Sequence, residues 1–331
     1  MGILRPVRQK QWKEWNSREM NIRRYTQKDE EAIVDLWNRT CTVDAIDVKK
    51  FRRQAIFDEN FDVRFSRVAE VDGKLVGFIY GTKRKFPYLE RGLEPERGWV
   101  NVLFVDEAYQ RRGIGRKLLT ECEEELKKAG CRNITLGAYS PNYFFPGIDT
   151  GNYKAAVCFF EEQGYMPGEE HYSMGKNLHG YRLSDQTLEK KEEAERKGYR
   201  FIQFNYSYSL ELLEFLKEEF GGGWKRNALL AMQKETAQDV ILLVLDKEEK
   251  ICGFCMRAID GNPMRFGPIG VAESERNAGI GGILLELQCY EMCKKGIYRM
   301  YFITTDEPGR RYYERHGLEV FRTFVSYKKE F

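Results

Sequence analysis

Two hydrophobic rhythms, one of period near 3.6 and one of period 2, succeed each other along this chain in the same order twice. Residues 22–25 read as a first strand, and within 28–40 the positions Ile33, Leu36 and Trp37 gather on one side of a helix. A further helix is predicted over 48–57. Strands at 65–71 and 75–83 flank Asp72-Gly73, a two-residue hairpin signal, and 99–105 makes the next strand. After it Ile114, Leu118, Cys122 and Leu126 recur every four residues, the buried stripe of a helix that Gly130 ends. A strand at 133–136, a loop Pro141-Asn142-Tyr143-Phe144-Phe145-Pro146-Gly147 and a helix at 154–163 capped by Gly164 complete the first half. Residues 183–198, polar and charged throughout, read as a solvated connecting helix. The second half restarts with a strand at 199–205, a helix at 210–220 broken by three glycines, and a helix at 225–234. Strands at 240–245, 251–259 and 264–271 follow, then a helix carrying Ile280, Ile283, Leu284 and Leu287. A strand at 299–304, a helix around 309–316 and closing strands from Leu318 end the chain.

The two halves share a turn. Gln110-Arg111-Arg112-Gly113-Ile114-Gly115 opens the helix after the strand at 99–105, and Arg276-Asn277-Ala278-Gly279-Ile280-Gly281 does so after FGPIGV. Gly113 and Gly279 lie 279 − 113 = 166 positions apart, about half of 331 residues, which implies two copies of one domain rather than a short-period solenoid. The first turn of a helix has no intrahelical acceptors for its N–H groups and carries the positive end of the dipole, so each turn is a candidate anion site. Glycines there let phosphate oxygens approach the main chain, and Arg276 adds a cation at the rim. A Walker loop would need Lys-Ser/Thr after the second glycine, where Arg116 stands, and a dinucleotide fingerprint a third glycine, where Leu118 stands.

These segments resemble motif A of the GCN5-related N-acetyltransferases, the GNAT family, whose signature Q/R-x-x-G-x-G/A sits between a splayed strand and a helix. Gln110, Gly113 and Gly115 match in the first copy; Arg276, Gly279 and Gly281 match in the second. The resemblance implies an α/β (α+β) chain of two tandem domains, each a mixed, mostly antiparallel sheet flanked by helices with a splayed central strand pair. The expected bounds are an N-terminal extension 1–20, domains 21–180 and 199–331, and a connecting helix 181–198. Acetyl-CoA is the implied cofactor. Backbone at Leu103 and Val105, and at Ile269 and Val271, would pair with its pantetheine arm. The turns Gln110, Arg111, Arg112, Gly113, Ile114, Gly115 and Arg276, Asn277, Ala278, Gly279, Ile280, Gly281 would hold its diphosphate.

Composition narrows the alternatives. Lys and Arg number 54 against 51 acids, a net +3 with signs interspersed, without the basic stripe of a nucleic-acid protein. No run of 18 apolar residues occurs, no hydrophobic signal core opens the chain, and Pro6 stands where a myristoylation site needs Ser or Thr. The expectation is a cytoplasmic protein with neither membrane nor nucleic acid as partner; a homo-oligomer stays open. Eight cysteines show no framework, and Cys252 and Cys255 sit three apart in a strand, on opposite faces. With three scattered histidines, no metal site is expected.

Acetyl transfer to an amine requires loss of the amine's proton, stabilisation of an oxyanion, and a proton for the departing thiolate. Many family members place a tyrosine for the last task in Y-x-x-x-G-F/L. Tyr313-Glu314-Arg315-His316-Gly317-Leu318 matches; the first half has Phe160-Glu161-Glu162-Gln163-Gly164-Tyr165, and phenylalanine has no proton to give. Tyr313 and the second domain are therefore the candidates for catalysis. No acid stands in FGPIGV, and the general base is unassigned. Tyr143, Phe144 and Phe145 form either core filler or an acceptor platform suited to the apolar face of a sugar ring. The tandem arrangement resembles bacterial two-domain GNATs that acetylate glucosamine or glucosaminides. A small-molecule amine, an amino sugar first, is the expected acceptor, with a peptide, polyamine or aminoglycoside amine, or a non-catalytic CoA-binding module, as alternatives.

Overall fold

The computed structural model describes residues 19–331, so the expected N-terminal extension lies outside the described residues except for its last two positions. The chain forms two compact units, one reaching Glu170 and regaining Phe324–Phe331, the other spanning His171–Thr323.

The first unit contains β1 (Met20–Arg24), α1 (Glu30–Thr40), α2 (Val48–Phe51), β2 (Ser66–Val71), β3 (Lys74–Lys83), β4 (Arg97–Val105), α3 (Ile114–Lys128), β5 (Asn133–Leu136), β6 (Ile148–Asp149) and α4 (Lys154–Glu162). It closes with the start of β7 (Met166–Asn177). The helix expected over 48–57 keeps α geometry only to Phe51 and widens into a π turn at Arg52–Ile56. Asp72 and Gly73 both take positive φ (+50° and +77°) between Val71 and its partner Lys74, as a two-residue hairpin on right-twisted strands requires.

Strands β1, β2, β3, β4 and β5 lie in that order, antiparallel except for β4 and β5. That parallel pair runs only from Arg97 with Asn133 to Val100 with Leu136; one more bond joins Gly137 N–H to the Val100 carbonyl, and β4 continues to Val105 paired with β3 but no longer with β5. The strands fork there. On its other edge β5 receives the chain's C-terminal strand, Tyr327 opposite Leu136 to Glu330 opposite Asn133. The α3 stripe Ile114, Leu118, Cys122 and Leu126 is at most 1% exposed and packs with Ile79, Val100 and Ile134. A second core holds Trp37, Phe51, Phe78 and Phe104. Burial of side chains this size contributes about 1.5–3 kcal/mol each.

The second unit takes the rest of β7, α5 (Asp185–Arg196), β8 (Arg200–Gln203), α6 (Ser209–Phe220), α7 (Gly222–Gln233), α8 (Ala237–Val240), β9 (Ile241–Leu245), β10 (Ile251–Arg257), β11 (Phe266–Val271), α9 (Ile280–Lys294), β12 (Arg299–Phe302), α10 (Glu307–Glu314) and the start of β13 (Glu319–Glu330), whose end from Phe324 belongs to the first. Strands β8 to β11 form an antiparallel sheet, and β12 pairs with Met174–Asn177 of β7. Here too the motif strand runs parallel to its neighbour only at its root, where Arg265 bridges Tyr301 and Tyr301 N–H reaches the Met264 carbonyl. Among the described residues no helix is long and apolar enough to cross a membrane, and no group of three His, Cys, Asp or Glu side chains could hold a metal.

Candidate functional site

In each unit the turn after the forked strand builds a cradle of backbone N–H groups. In the first, the Asp106 carboxylate accepts from Ala108 N–H (3.0 Å) to form the bend, and Gln110 Nε2 donates to the Val105 carbonyl (3.0 Å), tying the turn to the strand end. Arg111 and Gly113 then take positive φ (+59° and +83°) on either side of Arg112, and Gly113 caps α3. In the second, Asn277 (+71°) and Gly279 (+78°) repeat the alternation and Gly279 caps α9. Alternating hands of this kind turn successive N–H groups inward, which makes an anion-binding concavity. A Cβ placed on Gly113 or Gly279 would meet no atom within 4 Å, so the cradle is open above both glycines, and the residues fit a diphosphate.

The predicted cradle residues divide by role. Gln110, Arg111, Arg112, Arg276, Asn277 and Ala278 are exposed on the turns. Ile114 and Ile280 are each 1% exposed; their side chains anchor the helices, leaving only backbone N–H groups for a ligand. Gly115 faces the Phe159 ring at 3.5 Å, and Gly281 lies 3.6 Å from the Tyr312 hydroxyl, measured from the position of an added Cβ. Leu103, Ile269 and Val271 are half-buried along the strands, and Val105 is buried.

The fork of the first unit holds a cavity of about 110 Å³. One wall is β4 from Val100 to Phe104, the other Leu136, Gly137 and the stretch Gly147–Asp149; Trp37, Phe145, Tyr153 and Phe160 close it. Phe144 and Phe145 pack on Trp37 with ring centroids 5.0 and 6.0 Å away, the latter stacked, and the Tyr143 carbonyl accepts from Gln54 Nε2 (3.0 Å). Of these three loop aromatics, Phe145 lines the cavity.

In the second unit Tyr313 lies against Phe302, ring centroids 4.5 Å apart, and burial raises its phenol above the ordinary value of 10.0. The hydroxyl has no hydrogen-bond partner among the described residues. Its counterpart Phe160 is 6% exposed and packs on Tyr165 at 5.4 Å.

Three features escaped the reading of the sequence. Trp37, taken there as a helix-face residue, also closes the cavity, through partners distant in sequence. Glu286, in the second turn of α9, holds His316 Nδ1 at 3.0 Å and accepts from the Tyr181 hydroxyl, setting the imidazole against Gly282. Asn101 is the extra residue of a β-bulge: Tyr80 pairs with Val102 and Gly81 with Val100. A polar residue inside WVNVLFV was the available signal for it.

Comparison with known proteins agrees with this geometry. Residues 30–144 match the acetyltransferase (GNAT) family and residues 238–320 the acetyltransferase (GNAT) domain, together more than half of the chain. Among solved structures, the chain is similar to a GCN5-related glucosamine N-acetyltransferase region of a fungal multi-domain GH3 beta-N-acetylglucosaminidase, with a TM-score of 0.76 and 18% identity. That match covers 94% of this chain and 38% of the fungal one, so the present chain spans well under half of that protein. A GCN5-related N-acetyltransferase from Sphaerobacter thermophilus gives 0.68 at 16% identity, covering 94% of this chain and 95% of that one. A tandem GNAT protein from the clavulanic acid biosynthesis pathway gives 0.62 at 14%, covering 94% and 98%.

Proposed function

The chain belongs to the GNAT acetyltransferase family as a tandem two-domain N-acetyltransferase, and from that premise we propose that it uses acetyl-CoA to acetylate the amine of an amino sugar such as glucosamine or a glucosaminide. One observation carries the cofactor reading: each forked strand is followed, through a short turn, by a left-handed glycine that opens a helix, with no atom within 4 Å of where a Cβ would stand. Acetyl-CoA, when bound, supplies an acetyl group activated as a thioester.

The chain's own residues do the rest. N–H groups from Arg111 to Gly115 and from Asn277 to Gly281 bind the diphosphate at the positive ends of α3 and α9. Strand backbone at Leu103 and Val105, and at Ile269 and Val271, orients the arm that follows. Tyr313 holds a proton at its hydroxyl, which burial keeps un-ionised through neutral pH. A thiolate departing into the same low polarity would have its own proton affinity raised, and the Tyr313 hydroxyl would be the group to supply that proton.

Support for an amino sugar comes from the fungal relative, described as a glucosamine N-acetyltransferase region, and from the aromatic wall of Trp37 and Phe145. Phe160 in place of a tyrosine favours a second reading for the first unit, that of a coenzyme-binding module without its own acid. A screen of amines with acetyl-CoA, following free thiol, tests both. Glucosamine or a glucosaminide is expected to release thiol; response only to peptides or polyamines rejects the acceptor, and silence with every amine leaves the binding module.

A further inference from the structure

Helix α10, which carries Tyr313, has no fully buried side chain of its own to seat it. The turn that ends the helix does the seating. The Tyr313 carbonyl accepts from His316 N–H at 3.0 Å and from Leu318 N–H at 3.1 Å, so the imidazole and the phenol ride on one hydrogen-bonded turn. The Leu318 side chain is 2% exposed, and Lys176 Nζ donates to the His316 carbonyl at 2.7 Å. The His316 side chain is then clamped to α9. A carboxylate can only accept, so His316 Nδ1 donates to Glu286 Oε1 at 3.0 Å, and the Tyr181 hydroxyl donates to the other oxygen. Held this way, the ring places Cε1 beside Gly282, 2.8 Å from the position of an added Cβ. It also meets Tyr312, ring centroids 5.0 Å apart, and Tyr312 in turn meets Tyr313 at 5.0 Å.

The first unit lacks this arrangement. At the offset between the two turns Glu286 corresponds to 286 − 166 = 120, an exposed threonine. Gln163 stands three residues after Phe160, as His316 does after Tyr313. The clamp accompanies the tyrosine and is missing where phenylalanine replaces it. A contact serving the fold alone is needed in both copies, whereas one that aims a hydroxyl is needed only where a hydroxyl stands.

We infer that Glu286 and His316 are positioning residues for Tyr313: together they set the rotation of α10 against α9, and with it the place of the phenol's proton. This rests on the reading of Tyr313 as the acid that meets the departing thiolate. A rotation of α10 by about 10° shifts an atom on the helix surface by about 1 Å. A misplacement of that size costs up to about 10²-fold in rate.

Thiol release from acetyl-CoA by the full chain, with glucosamine as the acceptor, tests the inference. Glu286→Ala is expected to lower kcat about tenfold with KM for acetyl-CoA within about twofold. Glu286→Gln, whose amide oxygen still accepts from Nδ1, is expected to keep kcat within about threefold of wild type. His316→Phe, which retains a ring against Tyr312 but no Nδ1, is expected to match Glu286→Ala and takes its place if that variant does not fold. The discriminating readout is a double-mutant cycle: in a Tyr313→Phe background, Glu286→Ala should change kcat by less than about twofold, since no phenol proton remains to be aimed. A folded Glu286→Ala with unchanged kcat, or an equal loss with and without the Tyr313 hydroxyl, overturns the inference; a lowered kcat in Tyr313→Phe alone then leaves the acid reading standing. An unchanged kcat in Tyr313→Phe, or no thiol release by the wild type, removes both.

Discussion

Tyr313 and Phe160 occupy matching helices and differ by one oxygen, and that oxygen separates a candidate acid from a packing residue. Tyr313→Phe should lower kcat by about 10²-fold while KM for acetyl-CoA stays within a factor of two, the split expected when a proton donor goes and binding stays. Steady-state kinetics decides this, and an unchanged kcat removes Tyr313 from the chemistry. The left-handed glycines were legible in the sequence, because a motif that demands glycine at a fixed place names its backbone. Asn101 was not, because a bulge is a property of two strands in register and appears only when Tyr80 and Gly81 are matched to Val102 and Val100. The roles of Phe144 and Phe145 were left between filler and platform; contact with Trp37 is what gives them a packing face.

At the scale of elements, periodic helices read well. The four-residue stripe of α3 is buried as its spacing required, and the hairpin at Asp72-Gly73 has the φ values its residues favour. The strand Met166–Asn177 was missed, since MPGEEHYSMGKN has no apolar alternation and its first five residues are exposed. Its strand character comes from tertiary pairing, the Arg299–Phe302 ladder among it. Crowding around β11 gives an element-scale prediction. Phe220 and Trp224 stack 4.4 Å apart over Gly270, and an added Cβ there would stand 2.4 Å from the Phe220 ring and 2.7 Å from Trp224. Gly270→Ala should therefore displace the stacked pair and cost about 1–3 kcal/mol, read as a lower Tm. An unchanged Tm would mean that the rings move aside freely.

For the molecule as a whole, the chain's last residues belong to the fold of its first unit. Tyr327 is 3% exposed in that core, and Lys329 holds the Glu123 carboxylate at 2.9 Å beside the Tyr165 hydroxyl. A chain ended at Thr323 should lose the cooperative unfolding of the first unit, seen as an early transition in calorimetry; an unaltered profile would show that β5 does not need its edge covered. Stability should also fall in alkali. Burial raises Cys252 and Cys289 to about 12 and Cys255 well above the ordinary 9.0. Unfolded, these thiols ionise above about pH 9; folded, they stay protonated, so the unfolded chain binds fewer protons there and stability declines as pH rises from 9 toward 12. Replacing Cys255 by Ala should flatten that decline in a Tm series from pH 8 to 11, and an identical slope would assign the loss to other groups.

Calorimetric titration of acetyl-CoA into the wild-type chain and into a chain carrying Gly113→Glu and Gly279→Glu puts the two helix mouths to the most direct test. Saturable binding by the wild type, abolished in the double variant at an unchanged circular dichroism spectrum, is the expected result. No heat from the wild type, or equal affinity in both proteins, would contradict the assignment of these turns as the coenzyme's anchor.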